Sequence, residues 1–152
     1  MEARLNPYKV SPESMQALGA LEKQVQASGL EKSLFELVKT RASQINGCAF
    51  CLHMHTRDAR AEGETEERLY LLDAWRESSL YSERERAALA WTEAVTLVSQ
   101  THVPDDVFEA ARKQFSEEEL VKLTLLIIAI NGWNRIAISF RSQHPVTVVK
   151  AA

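Results

Sequence analysis

The sequence lacks the features that would direct a chain to nucleic acid, into a membrane or out of the cell. Its formal net charge of -3 and pI near 5.8 give no electrostatic reason to expect nucleic acid or an acidic membrane as a partner. The longest apolar run, residues 123–130, is interrupted by Thr124 and is shorter than the roughly 20 residues that span a bilayer. Residues 1–10 lack the apolar stretch of a secretory signal. We therefore expect a protein of the reducing cytoplasm.

Internal repeats, low-complexity tracts and Gly/Ser linkers are also missing, so nothing marks a domain boundary. A chain of 152 residues is long enough to bury roughly two-thirds of the surface that its unfolded form exposes. Hydrophobic residues make up 45% and charged residues 26%, as in ordinary globular proteins. We predict one domain over residues 1–152.

Long runs of alternating β-branched residues are absent as well, and only residues 146–149 (Val-Thr-Val-Val) have strand character. Ser11-Pro12 is a helix-start signal, and Ser82 with Glu85 and Ser116 with Glu119 have the spacing of capping boxes. Asn46 is expected to cap the third helix. The predicted helices cover about residues 12–27, 31–44, 46–63, 65–75, 82–99, 104–114 and 116–141. The sequence thus predicts an all-α protein, a compact helical bundle.

The two cysteines of the chain lie together in the segment Cys48-Ala49-Phe50-Cys51-Leu52-His53-Met54-His55. At about 100° per residue, Cys48, Cys51 and His55 share one helix face, and Cys51 and His55 are one turn apart. Both sulfurs would lie near the N-terminus of that helix, where the helix dipole and unpaired N–H groups favour a thiolate. This arrangement predicts a catalytic dithiol that cycles between reduced and disulfide forms.

Two other interpretations of the CxxC pair stay open. The cysteines could be small buried core residues, or they could form half of a zinc site with His53 or His55. A structural zinc site needs four ligands, and His53 faces away from the other three candidates on a regular helix. We therefore predict no metal and no cofactor. A polar group on the last helix, Asn131, Asn134 and Arg135, is either a hydrogen-bonded core cluster or part of the rim of the redox pocket.

The cysteine segment resembles the core of the alkylhydroperoxidase D-like and carboxymuconolactone decarboxylase-like proteins. The resemblance rests on Cys48-x-x-Cys51-x-x-x-His55, on the preceding residues 43–47 (Ser-Gln-Ile-Asn-Gly), and on Glu36, which has the spacing of a family glutamate. Two further stretches, residues 82–91 and 131–135, support it, so it covers about residues 30–141. It implies an all-helical fold of the alkylhydroperoxidase D type that assembles into homo-oligomers, often trimers or hexamers.

The resemblance also implies a thiol-dependent antioxidant activity. The substrate would be a hydroperoxide or a protein disulfide, and the reductant a lipoyl-type or other dithiol. Carried over by position, Glu36 would orient or deprotonate His55, His55 would activate Cys51, and Cys48 would complete the disulfide. The catalytic residues are therefore predicted to be Cys48, Cys51, His55 and Glu36, with the order of attack left open.

The chain departs from alkylhydroperoxidase D at Phe50, where that protein has a histidine before the second cysteine. An aromatic ring cannot donate a proton, so the activity or its partner is expected to differ. From the residues alone, Glu36 lies opposite the apolar stripe of its helix and would be solvated, whereas the resemblance implies that it lines a cleft. The alternatives to a peroxidase are a redox-sensing or zinc-binding module without turnover, and a carboxymuconolactone decarboxylase-like lyase. The lyases do not rely on a CxxC pair, so the dithiol favours the redox branch.

Overall fold

The computed structural model describes residues 2–146, which contain helices and no β-strand. The helices are α1 (Pro7–Val10), α2 (Pro12–Gln26), α3 (Lys32–Asn46), α4 (Ala49–Ala61), α5 (Glu66–Leu71), α6 (Glu83–Thr96), α7 (Val98–Thr101), α8 (Asp105–Gln114) and α9 (Glu117–Phe140), with a 3₁₀ turn at Leu72–Ala74. The all-α prediction is confirmed. Residues 147–149 of the segment with strand character lie outside the described residues.

The local start signals of two helices act as the sequence predicts, and that of α2 does so in part. Pro12 occupies the first turn of α2, but the Ser11 side chain makes no capping hydrogen bond to the backbone and donates to the Ser14 hydroxyl instead. Ser82 and Glu85 form a reciprocal capping box at the start of α6, and Ser116 and Glu119 form another at the start of α9. These predictions succeed because each cap needs only residues a turn apart.

The boundary between α3 and α4 differs from the prediction. Asn46 is the last residue of α3 rather than a cap of α4. Gly47 follows with φ 67°, a left-handed conformation that residues with a side chain seldom adopt, and Cys48 is the N-cap of α4. The four-residue helices α1 and α7 were not predicted, because so short a segment shows no apolar periodicity.

Helix α9 is the centre of the bundle, and α2, α3, α4, α6 and α8 pack around it. Its buried face is apolar and joins the largest core cluster, which includes Leu123, Leu126 and Ile127. Gly132 allows close approach of α2, because a Cβ atom there would lie 3.2 Å from a methyl group of Leu18. By length and composition alone α9 could cross a membrane, with a mean hydropathy of 1.4 over its most apolar window. The five helices packed around it indicate instead a core helix, which can have the same length and composition.

Helix α3 connects this core to the cysteines. It packs on α9 and α6 with one face and on α4 with another. Leu34 and Val38 lie in the core, and Ser43 is fully buried beside the turn to Cys48. The α3–α4 pair therefore places the cysteines against the central helix.

Candidate functional site

The turn between α3 and α4 places both cysteines in the interior. The Cys48 N–H donates a hydrogen bond to the Ser43 carbonyl at 3.0 Å, which closes the turn after Gly47. Both thiols are free and 1% exposed, and they pack against Ile130 and Ala137 of α9. The CxxC pair is thus enclosed at the N-terminus of α4, where the sequence predicted it.

The ionisation of each thiol depends on the other. A hydrogen bond from Cys51, together with the backbone N–H groups of Cys51 and Phe50 and the Asn134 amide, outweighs burial and lowers the pKa of Cys48 to about 7. The same pairing and burial raise the pKa of Cys51, and Asn134 and the positive charge of Lys39 act in the opposite direction. The pair therefore loses its first proton near neutral pH, which is what a nucleophilic dithiol requires.

His55 lies one turn after Cys51 on α4, and Glu36 approaches it from α3. Its Nδ1 is 2.9 Å from Glu36 Oε2. The side chain of His55 is 5% exposed and that of Glu36 is 14% exposed, so the solvated position that the residues alone favoured for Glu36 is wrong. The face of α3 opposite its apolar stripe packs on α4, and there the carboxylate meets the imidazole. A neutral His55 that donates Nδ1–H to Glu36 leaves Nε2 as the basic nitrogen.

A cavity of about 740 Å³ opens beside the dithiol. Cys51, His55 and Glu36 line it, and Cys48 is not part of its wall. Most of the remaining wall is apolar, with Phe35, Phe50, Met54, Trp133, Ile136 and Phe140 among its residues. A largely apolar cavity with a few converging polar groups is the usual form of a small-molecule site.

A charged pair on one side of the cavity was not found by sequence reasoning. Lys39 of α3 is 2% exposed and donates a hydrogen bond to Glu22 of α2. Glu22 also accepts from Trp133 Nε1 and from Gln26 Nε2, each at 3.0 Å. Burial raises the pKa of Glu22, but these hydrogen bonds outweigh it and hold the pKa below its usual value. The only sequence signal was that Lys39 follows Glu36 by one turn on the same face.

Polar residues of α9 form a network behind the cysteines. Asn134 is fully buried, accepts a hydrogen bond from Asn46 at 2.8 Å and donates to Ser43 at 3.0 Å. Asn131 accepts from Asn46 and from Arg135. The structure supports the interpretation as a hydrogen-bonded core cluster, because none of the three residues lines the cavity and the Asn134 amide reaches the dithiol from behind.

The N-terminal segment covers one side of the cavity. The backbone N–H of Arg4 donates to the Phe140 carbonyl at 3.1 Å, and its guanidinium donates to the Ser139 carbonyl at 3.0 Å. These contacts bind the segment to the C-terminal end of α9, and Leu5 and Tyr8 then line the cavity. We call residues 2–10 the N-terminal strap.

The zinc interpretation finds no ligand set in the part of the chain that the structure describes, where no group of three or more His, Cys, Asp or Glu side chains could hold a metal ion. His53 is directed away from the cysteines and stacks on His144, with ring centroids 5.1 Å apart. His55 is held by Glu36.

Comparison with known proteins identifies similar sequences and structures. Residues 12–94 match the model of the carboxymuconolactone decarboxylase family. The uncharacterized protein YdfG of Bacillus subtilis (strain 168) is 45% identical over 143 residues, which cover 94% of this chain and 97% of that protein. The matched family segment contains Glu36, Cys48, Cys51 and His55.

Solved structures show the same fold. A protein of unknown function from Agrobacterium tumefaciens, ATU0492, with a suggested role as the antioxidant defence protein AhpD, superposes with a TM-score of 0.94. It is 53% identical, and the match covers 96% of this chain and all of that one. The debrominase Bmp8 superposes with a TM-score of 0.79 at 24% identity, over 89% of this chain and 73% of its own. At that identity the likeness shows the fold alone.

Proposed function

The chain belongs to the carboxymuconolactone decarboxylase family, and from this membership and its buried dithiol we propose that it is a thiol-dependent peroxidase of the alkylhydroperoxidase D type. The proposal rests on three side chains that follow one another from the cavity wall inwards. Cys51 forms part of the wall, His55 lies one turn away, and Glu36 holds His55 at 2.9 Å. A nucleophile, a base and a group that orients the base are the parts that nucleophilic catalysis requires.

We assign the first attack to Cys51. Cys51 borders the cavity, whereas Cys48 lies behind it as the N-cap of α4. The resting thiolate is favoured on Cys48, so the attack requires the proton of the Cys51 thiol to pass to the Cys48 sulfur or to Nε2 of His55. Access to the substrate therefore decides which sulfur reacts, and the hydrogen bond between the thiols supplies the nucleophile.

The dithiol is oxidised in two steps and then reduced again. The Cys51 thiolate attacks the terminal oxygen of the hydroperoxide, an S–O bond forms, the O–O bond breaks, and the alkoxide leaves and is protonated to the alcohol. Cys48 next attacks the sulfenic sulfur of Cys51, which releases water and forms the disulfide. A dithiol of the lipoyl or a related type returns both cysteines to thiols by disulfide exchange.

We also propose that this activity takes place in the cytoplasm. A dithiol that must be reduced after every turnover suits the cytoplasm, where thiols are kept reduced. We also propose a homo-oligomer, trimeric or hexameric. Phe50 forms part of the cavity wall at the position of the extra family histidine, so the Glu36–His55 pair is the proton relay on which this chain relies.

The test is peroxide reduction supported by dihydrolipoamide, with wild type compared with Cys51→Ser and Cys48→Ser. We expect wild type to turn over and both variants to lose turnover, with Cys51→Ser also unable to consume one equivalent of peroxide. Cys48→Ser should consume that single equivalent and accumulate a sulfenic acid, detectable by dimedone labelling and mass spectrometry. A wild type that keeps two titratable thiols after peroxide treatment would contradict the proposal. Peroxide reduction that survives Cys51→Ser would contradict the dithiol mechanism.

A further inference from the structure

Lys39 is a buried cation in the cavity wall that the steps above do not use. The antiparallel α3–α4 pair places it close to the reacting sulfur. Glu36 contacts His55 towards one end of the pair, and Ser43 accepts from the Cys48 backbone at the other. In an antiparallel pair, the residues between these two contacts face one another in reverse order. Residues 39 and 40 therefore lie opposite residues 52 and 51.

The Lys39 ammonium has donors to spare. Among the described residues its one hydrogen-bond partner is Glu22, and its Nζ lies over the Phe35 ring at 4.3 Å from the centroid. An ammonium has three N–H donors. Trp133 and Gln26 hold Glu22 in turn, so Nζ has a fixed position at the edge of the cavity. Burying the Lys39–Glu22 ion pair costs desolvation free energy, so the pair alone does not explain why a lysine is present. A lysine that only joined α2 to α3 would also not need to face the cavity.

A second unused donor lies at the same level. The hydroxyl of Thr40 is buried and has no hydrogen-bond partner within residues 2–146. Buried hydroxyls are nearly always paired, so hydrogen-bond capacity is left in this part of α3. Thr40 is not part of the cavity wall, so of the two residues only Lys39 can meet a substrate in the cavity.

We propose that Lys39 Nζ binds and protonates the oxygen that leaves when Cys51 cleaves the O–O bond of a hydroperoxide. This inference rests on the proposed function and adds the group that takes up the negative charge. Charge develops on the leaving oxygen during the attack, and a fixed ammonium in a largely apolar cavity stabilises it more than water would. His55 and Glu36 act on the thiol, so without Lys39 nothing in the proposed steps serves the leaving oxygen.

The proton that Lys39 gives up returns to it within one catalytic cycle. The Cys51 thiolate gives two electrons to the O–O bond and becomes the sulfenic acid. The alkoxide takes a proton from the Lys39 ammonium and leaves as the alcohol, because an alkoxide is a stronger base than an amine. After Cys48 has formed the disulfide and a dithiol has reduced it, Cys51 ionises again and its proton restores the ammonium.

The test compares two oxidants that differ in their leaving groups. An alkoxide leaves from tert-butyl hydroperoxide, whereas peracetic acid releases acetate, which needs no proton at neutral pH. Single-turnover oxidation of the reduced full-length chain is followed by stopped-flow tryptophan fluorescence. The variant is Glu22→Gln with Lys39→Met, which removes both charges and avoids leaving a lone carboxylate in the interior.

We expect the rate constant for tert-butyl hydroperoxide to fall on the order of 100-fold, as for loss of a proton donor. The rate constant for peracetic acid should change little. Lys32→Met is the matched control, because Lys32 lies on the same helix with its side chain 80% exposed, and it should leave both rate constants unchanged. Lys39→Arg keeps a cation but gives up no proton, so the rate constant for tert-butyl hydroperoxide should still fall relative to that for peracetic acid, which also tests the inference if the double variant fails to fold.

Two results would overturn the role of Lys39 while the peroxidase proposal stands. One is an equal fall with both oxidants, which would place the effect of Lys39 on the thiolate. The other is no fall with either oxidant in a folded variant. A wild type that neither oxidant converts to the disulfide would overturn the peroxidase proposal itself, and the role of Lys39 with it.

Discussion

Nδ1 of His55 and Oε2 of Glu36 lie 2.9 Å apart, joining α4 to α3 across the reactive face of the dithiol helix. The contact selects the ring tautomer, because Nδ1–H donates to the carboxylate and Nε2 is left basic. Replacement of Glu36 by Gln keeps the shape and removes the charge. We expect turnover in the dihydrolipoamide assay to fall about 100-fold or more, as for loss of general base function.

Glu62→Gln is the control for this substitution, since Glu62 follows α4 and makes an exposed ion pair with Lys32. It should leave turnover unchanged. Full activity of Glu36→Gln would show that Glu36 is not a catalytic residue. The assignment of the catalytic residues stays a prediction.

The ionisation of the dithiol predicts how its reactivity depends on pH. The pKa of Cys48 is lowered to about 7, so the pair is neutral below that pH and carries one thiolate above it. We expect the rate of alkylation by iodoacetamide to fall about tenfold per unit below pH 7 and to level off above it, since the thiolate is the nucleophile.

Cys48→Ser supplies the comparison for this pH profile. It removes the sulfur that carries the thiolate most readily, and burial alone then raises the pKa of the remaining thiol. The midpoint of alkylation should move well above 7. A midpoint that stays near 7 in the variant would show that the ionisation of one thiol does not depend on the other.

We expect replacement of Asn134 to change both the free energy of unfolding and the ionisation of the thiols. Its amide donates to Ser43 at 3.0 Å and contributes to the low pKa of Cys48. Asn134→Ala should lower the free energy of unfolding by about 1–3 kcal/mol, because buried polar groups lose their partner. It should also raise the midpoint of alkylation.

Denaturant unfolding and the alkylation profile measure the two effects separately. Ser43→Ala is the matched control, because it breaks the same hydrogen bond and leaves the Asn134 amide beside the sulfurs. Stability should fall in both variants, and the alkylation midpoint should move in Asn134→Ala only. An equal shift in both would mean that Asn134 acts through packing alone.

The N-terminal strap predicts that access to the cavity depends on Arg4. The substitution Arg4→Ala keeps the backbone hydrogen bond to the Phe140 carbonyl and removes the guanidinium hydrogen bond to the Ser139 carbonyl, which contributes about 1 kcal/mol. Arg4→Ala should therefore raise the open population several-fold, measured as faster labelling of the dithiol by a bulky maleimide. Arg60→Ala is the control, since Arg60 of α4 bonds to Glu66 on the surface and neither residue lines the cavity. Equal labelling of wild type and Arg4→Ala would show that reagents reach the cavity by another route.

Several features of the site depend on local sequence alone and were predicted from it. Cys51 and His55 share a face of α4 because helix geometry alone relates positions four residues apart, whereas Cys48 is the N-cap and lies behind the cavity wall. The capping boxes at Ser82 and Ser116 are local for the same reason. The all-α fold followed from the apolar periodicity, and membership of the family was recognised from the cysteine segment with Glu36.

Other features required the tertiary structure, because each depends on residues far apart in the chain. Lys39 is an ordinary polar-face lysine until α2 brings Glu22, 17 positions away, into its reach. Asn46 looked like a helix cap, but its amide pairs with Asn134, 88 positions later. A buried charge or amide is stable only where a partner meets it. The sequence by itself therefore determined the helices and the shared face of Cys51 and His55, and only the packing of α2, α3 and α9 decided which polar groups surround it.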